Sequence, residues 1–101
     1  MKNISEIRLD KWLWHVRIFK TRTLCTNFIR KKGININGVD VFKSATTVKE
    51  NDVLYFDNHK ALRIIKILII PCRRVNFDLA KKMYEDLSLE MLKKWLIDKL
   101  S

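Results

Sequence analysis

The chain has 101 residues, of which 48% are hydrophobic and 32% charged, which suits one small folded domain and excludes a disordered tail. Its two glycines and one proline exclude collagen-like and low-complexity sequences. Lysine and arginine outnumber aspartate and glutamate by 21 to 11, and the net charge of +10 predicts a polyanionic partner: nucleic acid, an anionic membrane or an acidic protein.

The first predicted element is an amphipathic helix over residues 11–19, with Asp10 as the expected N-cap. Apolar residues recur at spacings of three and four and form one face: Leu9, Trp12, Leu13, Val16 and Phe19. Trp14 lies about 200° from Trp12 around the helix axis, so one core cannot take both rings. Two alternatives stay open for Trp14: it packs against the C-terminal helix, with Trp95 as a partner, or it stacks on an unpaired RNA base.

A second short helix follows the sequence "KTRT". Thr23 is the expected N-cap of "LCTNFIRKK", whose apolar side chains are Leu24, Cys25, Phe28 and Ile29. Three basic residues and then Gly33 end the segment. This is a helix C-terminal signature, because cations suit the negative end of the helix dipole and glycine accepts a positive φ.

A small antiparallel sheet is predicted from Ile34 onward, where apolar and polar residues begin to alternate. Asn37-Gly38 indicates a tight hairpin turn. Further turns are expected at Asn51-Asp52 and at Asp57-Asn58, and the last strand, "ALRIIKILII", should end before Pro71.

The remaining segments, "FDLAKKMYEDL" from Phe77 and then "SLEMLKKWLIDKL", have the apolar spacing of helices. The expected fold class is therefore α+β: two helices packed on a small antiparallel β-sheet, followed by a C-terminal helix. We divide the chain into a domain of residues 1–75 and a helical extension of residues 76–101 that packs on it.

Groups for catalysis or metal binding are not brought together by the sequence. Cys25 and Cys72 form no motif and are expected to be reduced thiols, and neither His15 nor His59 has an evident partner. We therefore expect no enzyme activity, no catalytic residue, no metal, no cofactor and no small-molecule substrate. The chain has no signal-peptide pattern and no apolar run of membrane-spanning length, which favours a cytoplasmic protein.

Positive charge is concentrated in the first half of the chain. Residues 1–43 carry a net charge of +7 and residues 44–101 carry +3, and no acidic residue lies between Asp10 and Asp40. A solvated helix surface usually mixes charges of both signs. A cationic surface without counter-charges is typical of proteins that bind the phosphates of nucleic acid.

The same region resembles a known family of RNA-binding domains. The matching elements are Arg8-Leu9-Asp10, Lys20-Thr21-Arg22, Gly33, the hairpin Ile36-Asn37-Gly38 and the later strand "NDVLYF". Together they resemble the RNA-binding domain of the ribosomal protein S-four type. The variant "DKWLW…KTR" and the segment "CRRVNFDLAKKMYEDL" are similar to the heat-shock protein fifteen family, and the resemblance covers about residues 6–87.

This resemblance implies that the two helices and the hairpin loop form an αL motif that presents basic side chains to structured RNA. The RNA-facing residues that it implies are Arg8, Lys11, Arg17, Lys20, Thr21, Arg22 and Lys43, and Lys31 joins them from the basic end of the second helix. Arg17 and Arg22 are expected to contact phosphates in a bidentate manner, because a planar guanidinium suits that geometry.

The resemblance also implies a partner. Members of the family bind large ribosomal subunits that have stalled with peptidyl-tRNA attached and act in recycling or ribosome quality control. We expect a monomer that binds ribosomal RNA, with tRNA as a second candidate partner and no membrane. The alternatives are a general structured-RNA binder in ribosome assembly or translational control, and the RNA-binding appendage of an RNA-modifying enzyme.

Overall fold

The computed structural model describes residues 5–58 and 61–100, and this part of the chain holds four helices and seven strands. In chain order the elements are β1 (Glu6–Arg8), α1 (Leu9–His15), α2 (Arg22–Lys32), β2 (Ile34–Ile36), β3 (Val39–Val41), β4 (Thr47–Lys49), β5 (Val53–Asn58), β6 (Ala61–Ile67), α3 (Phe77–Ala80), β7 (Tyr84–Asp86) and α4 (Ser88–Leu100). The predicted α+β class, with a helix pair, an antiparallel sheet and a C-terminal helix, is confirmed.

The main sheet is antiparallel and has the strand order β3-β2-β5-β6-β7, while β1 and β4 form a separate two-stranded pair. Alternation along β5 places Leu54 and Phe56 in the core and Tyr55 on the exposed face. One core cluster joins this sheet face to the buried sides of α1 and α2. Trp12 is fully buried there, and its indole N–H donates to the Ile69 carbonyl at 3.2 Å.

The predicted hairpin turn at Asn37-Gly38 joins β2 to β3. Asn37 has φ 51° and Gly38 has φ 94°, so both central residues have the positive φ of a type I′ turn. The Asn37 amide also ties this turn to the next strand, because it donates to Asp52 and accepts from the Val53 N–H, both at 2.9 Å. Sequence features that act locally were therefore sufficient to predict this part of the sheet.

The ends of the first two helices differ from the prediction. α1 ends at His15 instead of continuing to residue 19, because Arg17 has φ 59° and the chain turns there. Asp10 is not the N-cap: Arg8 holds that position, and Asp10 lies within the first turn. The cap of α2 is Thr21 rather than Thr23, since the Thr21 hydroxyl accepts from the Leu24 N–H at 3.1 Å.

The prediction for the end of the sheet and the segment that follows it was also wrong in part. β6 ends at Ile67, not before Pro71, and the helix expected over "FDLAKKMYEDL" is only the four residues of α3. The chain then extends as β7 and pairs with β6, with Ile67 opposite Tyr84. The Met83 carbonyl accepts from the N–H groups of Leu68 and Ile69, so pairing with a distant strand overrides the helical pattern here.

Helix α4 follows β7 on the outer side of the sheet. Residues 89–100 are all exposed, and α4 lies against β6. An apolar groove separates the two, lined by Tyr55, Ala61, Leu62, Ile64, Ser88, Leu89, Met91, Leu92 and Trp95. The division into residues 1–75 and 76–101 stays a prediction. His59 lies outside the described residues.

Candidate nucleic-acid interface

A buried carboxylate organises the cations at the start of the helix pair. Asp10 is only 2% exposed. Arg8 donates to both of its oxygens, Nε to Oδ1 and a terminal nitrogen to Oδ2, each at 3.1 Å. The Arg22 Nε lies 3.5 Å from Oδ2. The Thr26 hydroxyl oxygen is 3.4 Å from the same Oδ2, but its one proton has a nearer acceptor in the Arg22 carbonyl, at 3.0 Å. One carboxylate therefore fixes two arginines from two different elements.

The loop before β4 is held against the same helix end. The N–H of Leu9 donates to the Thr46 carbonyl at 2.7 Å, and the N–H of Asp10 donates to the Ser44 carbonyl at 3.2 Å. These bonds satisfy donors that an α-helix leaves free at its N-terminus. They also hold the loop that contains Lys43 and Ser44 against the start of α1. Arg8 and Arg22, two of the predicted RNA-facing residues, thus meet at Asp10, and Lys43 lies on the adjoining loop.

The exposed face of α2 extends this cluster. Arg22, Thr26 and Arg30 are spaced by four residues and lie on one helix face. Arg30 borders the same shallow depression as Arg8 and Arg22, so it belongs to the surface although the sequence reasoning did not select it. The four-residue spacing from Arg22 was the signal that would have found it. Lys31 was selected instead, and it lies about 14 Å along the axis from Arg22.

Arg17 lies where α1 ends and is held by the chain beyond the sheet. Its Nε donates to the Val75 carbonyl at 2.6 Å, and the N–H of Val75 donates to the His15 carbonyl at 3.1 Å. Arg17 is exposed, and in the described part of the chain its two terminal nitrogens have no hydrogen bond or ion pair. Arg17 therefore combines a structural contact with an available charge.

The surroundings of Trp14 answer part of the question left open by the sequence. The guanidinium of Arg74 lies 4.9 Å from the centre of the Trp14 ring and donates to the Trp14 and Lys20 carbonyls. Trp95, the expected packing partner, instead lies beside β5 and β6. In the described residues, Trp14 thus contacts Arg74 and does not pack on the C-terminal helix with Trp95 as predicted. A base that stacks on the ring face under Arg74 would have to displace that guanidinium.

The other predicted RNA-facing residues surround the helix pair. Lys11 is half-buried on α1, and Lys20 is exposed in the connection between the helices. Thr21 follows it, and its hydroxyl is engaged as the N-cap of α2. The structure therefore gives Thr21 a role in helix capping, and its contact with RNA stays a prediction.

Two buried side chains behind this surface, His15 and Cys25, have shifted pKa values. Burial lowers the pKa of His15, and the nearby charges of Lys11, Arg22 and Arg74 lower it further, although a hydrogen bond with the Pro71 carbonyl opposes them. Burial raises the pKa of the Cys25 thiol to about 12, and the Asp10 charge acts in the same direction. Both groups are therefore uncharged near neutral pH, and the charge of this region comes from the surface cations and Asp10.

Known proteins match both the sequence and the fold. The family model described as "S4 domain" matches residues 7–54. The heat shock protein 15 homolog of Aeromonas salmonicida is 28% identical over 90 residues, which are 89% of this chain and 67% of that protein. The RQC P-site tRNA stabilizing factor of Streptococcus pneumoniae is 35% identical over 82 residues, which are 81% of this chain and 91% of that protein. The chain belongs to this family of S4-domain proteins.

The family also agrees in its three-dimensional structure. Heat shock protein 15 of Vibrio cholerae, described as trimeric, is similar with a TM-score of 0.77 and 26% identity, over 95% of this chain and 99% of that one. The resemblance to the ribosomal protein S-four type and to the heat-shock protein fifteen family is thus confirmed. The chain spans about two thirds of the length of the curated heat shock protein 15 relatives that it matches.

Two other kinds of feature are absent from the described residues. Within residues 5–58 and 61–100, no three histidine, cysteine or acidic side chains are grouped so that they could hold a metal ion. Nor does any helix in those ranges have the length and apolar character needed to cross a membrane. The cationic surface around Asp10 is therefore the feature on which we base a function.

Proposed function

We propose that the chain is a non-catalytic module that binds structured ribosomal RNA, on large ribosomal subunits that carry peptidyl-tRNA after stalling. The observation that carries this proposal is the pairing of Arg8 and Arg22 with the buried Asp10. An ordered guanidinium loses less conformational entropy when it binds a phosphate than a freely rotating one. A preformed pair of arginines is therefore suited to a phosphate backbone of fixed shape.

The arginines keep donors for a ligand. Arg22 uses only its Nε toward Asp10, and its side chain remains 42% exposed. The Arg8 side chain is 47% exposed. Phosphate contacts of this kind do not depend on base identity, so specificity would come from the shape of the RNA. Arg30 borders the same depression as the two arginines and extends the surface along α2.

The names of the relatives support the choice of partner. One relative is called an RQC P-site tRNA stabilizing factor, and others are called heat shock protein 15. These names favour a ribosome-bound role in quality control, with tRNA as a further contact, and a cytoplasmic place of action. The predicted monomer needs its own measurement by light scattering, because the Vibrio cholerae relative is described as trimeric.

Sedimentation of cell lysate through a sucrose gradient tests the proposal. We expect the wild-type chain to sediment with large subunits, and more of it after stalling is induced. Arg8→Ala combined with Arg22→Ala should move the protein to the top of the gradient. The matched control is Lys93→Ala with Lys94→Ala, which removes the same charge from the exposed polar side of α4 and should leave sedimentation unchanged. Arg17 stays intact because its bond to Val75 is structural. Because Arg8 and Arg22 also pair with the buried Asp10, thermal melting of the double variant must show that it is folded at the temperature of the gradient.

Binding in vitro separates the alternatives. Loss of each phosphate contact should reduce the slope of log K against log salt by about 0.7 to 0.9. A wild-type protein that stays at the top of the gradient, even after stalling, would contradict the ribosomal role. If that protein still bound structured RNA with a slope that depends on Arg8 and Arg22, a general RNA binder in ribosome assembly or translational control would replace it.

A further inference from the structure

A second basic segment lies outside the helix pair, in residues 72–82. It contains Arg73, Arg74, Lys81 and Lys82, and Asp78 is its one acidic residue. All of these side chains except Arg74 are on exposed residues. The proposed function has so far used none of them.

This segment is fastened to the helix pair by hydrogen bonds. Arg17 donates to the Val75 carbonyl, and Arg74 reaches the carbonyls of Trp14 and Lys20. α3 begins two residues after Val75, with Asn76 as its N-cap. The bond between Arg17 and Val75 therefore places the start of α3 near Arg17 in the fold.

An aromatic ring stands on that exposed side. Ala80 and Met83 face the core, being 2% and 7% exposed, whereas Phe77 is 60% exposed. Lys81 is four residues from Phe77, and its ammonium lies 4.6 Å from the centre of the ring. Phe77 thus adds little to the core, and its ring is in contact with the cation of Lys81.

We propose that Phe77 is a stacking residue for an unpaired RNA base, with Lys81 and the terminal nitrogens of Arg17 holding the flanking phosphates. On binding, the flexible Lys81 side chain moves its ammonium from the Phe77 ring to a phosphate, which leaves the ring face to the base. Aromatic rings set among basic side chains are the means by which proteins bind single-stranded nucleotides, because every base has a face that stacks. This inference rests on the proposed function and extends the RNA surface from the helix pair to α3.

The chain supplies a matched control. Trp95 on α4 is also an exposed aromatic residue, at 54%, and the ammonium of Lys99 lies 5.3 Å from the centre of its ring. It lies beside the groove along β5 and β6, away from the segment that contacts the helix pair. Phe77→Ala and Trp95→Ala therefore remove similar groups from different surfaces.

The test uses two labelled RNAs with the same stem, a hairpin with an unpaired loop and a fully paired duplex, and measures binding by fluorescence anisotropy over a range of salt. Phe77→Ala should weaken hairpin binding by about 5- to 150-fold without changing the salt slope, and should leave duplex binding nearly unchanged. Lys81→Ala should lower the salt slope by about 0.7 on the hairpin. Trp95→Ala should bind both RNAs as the wild type does.

Three results would overturn the inference. Equal hairpin binding by Phe77→Ala and wild type would refute it while leaving the proposed function intact. Equal losses on hairpin and duplex would mean that Phe77 does not recognise an unpaired base. A wild-type chain that binds neither RNA would end both proposals. Thermal melting of each variant, and Phe77→Leu, which keeps an apolar side chain but not a stacking ring, separate stacking from folding.

Discussion

Asp10→Asn distinguishes an organised RNA surface from a merely positive one. The substitution keeps the shape of the side chain but removes the charge that holds Arg8 and Arg22. Because both arginine side chains are more than 40% exposed, solvent screens the ion pairs and each is worth about 0.5 to 1 kcal/mol. The Thr26 hydroxyl donates mainly to the Arg22 carbonyl and is not counted. We therefore expect the free energy of unfolding to fall by about 1 to 2 kcal/mol, and the melting temperature by about 4 to 16 °C.

Asp10→Asn should change RNA affinity in opposite directions if binding depends on diffuse charge attraction or on a preformed pair of arginines. Asp10→Asn raises the net charge by one, so diffuse attraction alone predicts equal or tighter binding. If the arginines act as a preformed pair, they must instead be ordered on binding, at about 0.5 to 1.5 kcal/mol for each side chain. Affinity should then fall by about 5- to 150-fold. Anisotropy with a structured RNA, well below the melting temperature of the variant, measures this difference.

The control is Asp57→Asn, which adds the same charge at an exposed position of β5. Its melting temperature should stay near that of the wild type, and its affinity should stay equal or rise slightly. If Asp10→Asn bound RNA as tightly as Asp57→Asn, the positioning of the arginines by the buried carboxylate would have no part in recognition. The proposal would then lose the observation that carries it.

Three further predictions concern groups behind this surface and in the sheet. Burial and nearby cations hold the pKa of His15 below 6.5, so its contribution to stability is fully present above pH 6.5 and is lost as the pH falls below that value. His15→Gln should remove this part of the pH dependence of the unfolding free energy, measured in urea. If the unfolding free energies of wild type and variant changed equally with pH, the prediction would be contradicted. Cys25 is fully buried with a pKa of about 12, so only the exposed Cys72 should react with a thiol reagent in the native protein at neutral pH, and Cys72→Ser should abolish that reaction. Asn37→Ala removes the side-chain hydrogen bonds to Asp52 and Val53 and places alanine at φ 51°, so the free energy of unfolding should fall by about 2 to 3 kcal/mol. A fall of less than about 0.5 kcal/mol in urea unfolding would refute the role of this turn.

Features set by local chemistry could be predicted from the sequence. The Asn37-Gly38 turn and the end of α2 at Gly33 depend on residues that accept positive φ, and both were found. The apolar face of α1 was also correct, since Trp12 and Leu13 are fully buried. In these cases a short stretch of chain contains the signal that predicts the structure, although distant bonds such as those of Asn37 to Asp52 and Val53 also stabilise it.

Features set by distant contacts could not be predicted in the same way. Arg17 has a positive φ that no local signal indicated, and its partner is the carbonyl of Val75. β7 exists as a strand because it pairs with β6, although its sequence suits a helix. Asp10 shows a third kind of limit, because an aspartate before an apolar run is typical of both an N-cap and a buried ion-pair partner. Only the position of Arg22 in space decides between them.

The pairing of β7 with β6 has a consequence for aggregation. β6 is rich in isoleucine. If β7 were missing, the backbone N–H and C=O groups of β6 that now pair with β7 would be free. Such an edge pairs readily with strands of other molecules. The three residues of β7 therefore protect this edge of β6, and they lie outside the segment that matches the S4 model. A shorter chain that kept every RNA-facing residue but lacked this strand would exchange a three-residue edge strand for the longer, isoleucine-rich β6 at the edge of the sheet, and should aggregate more readily.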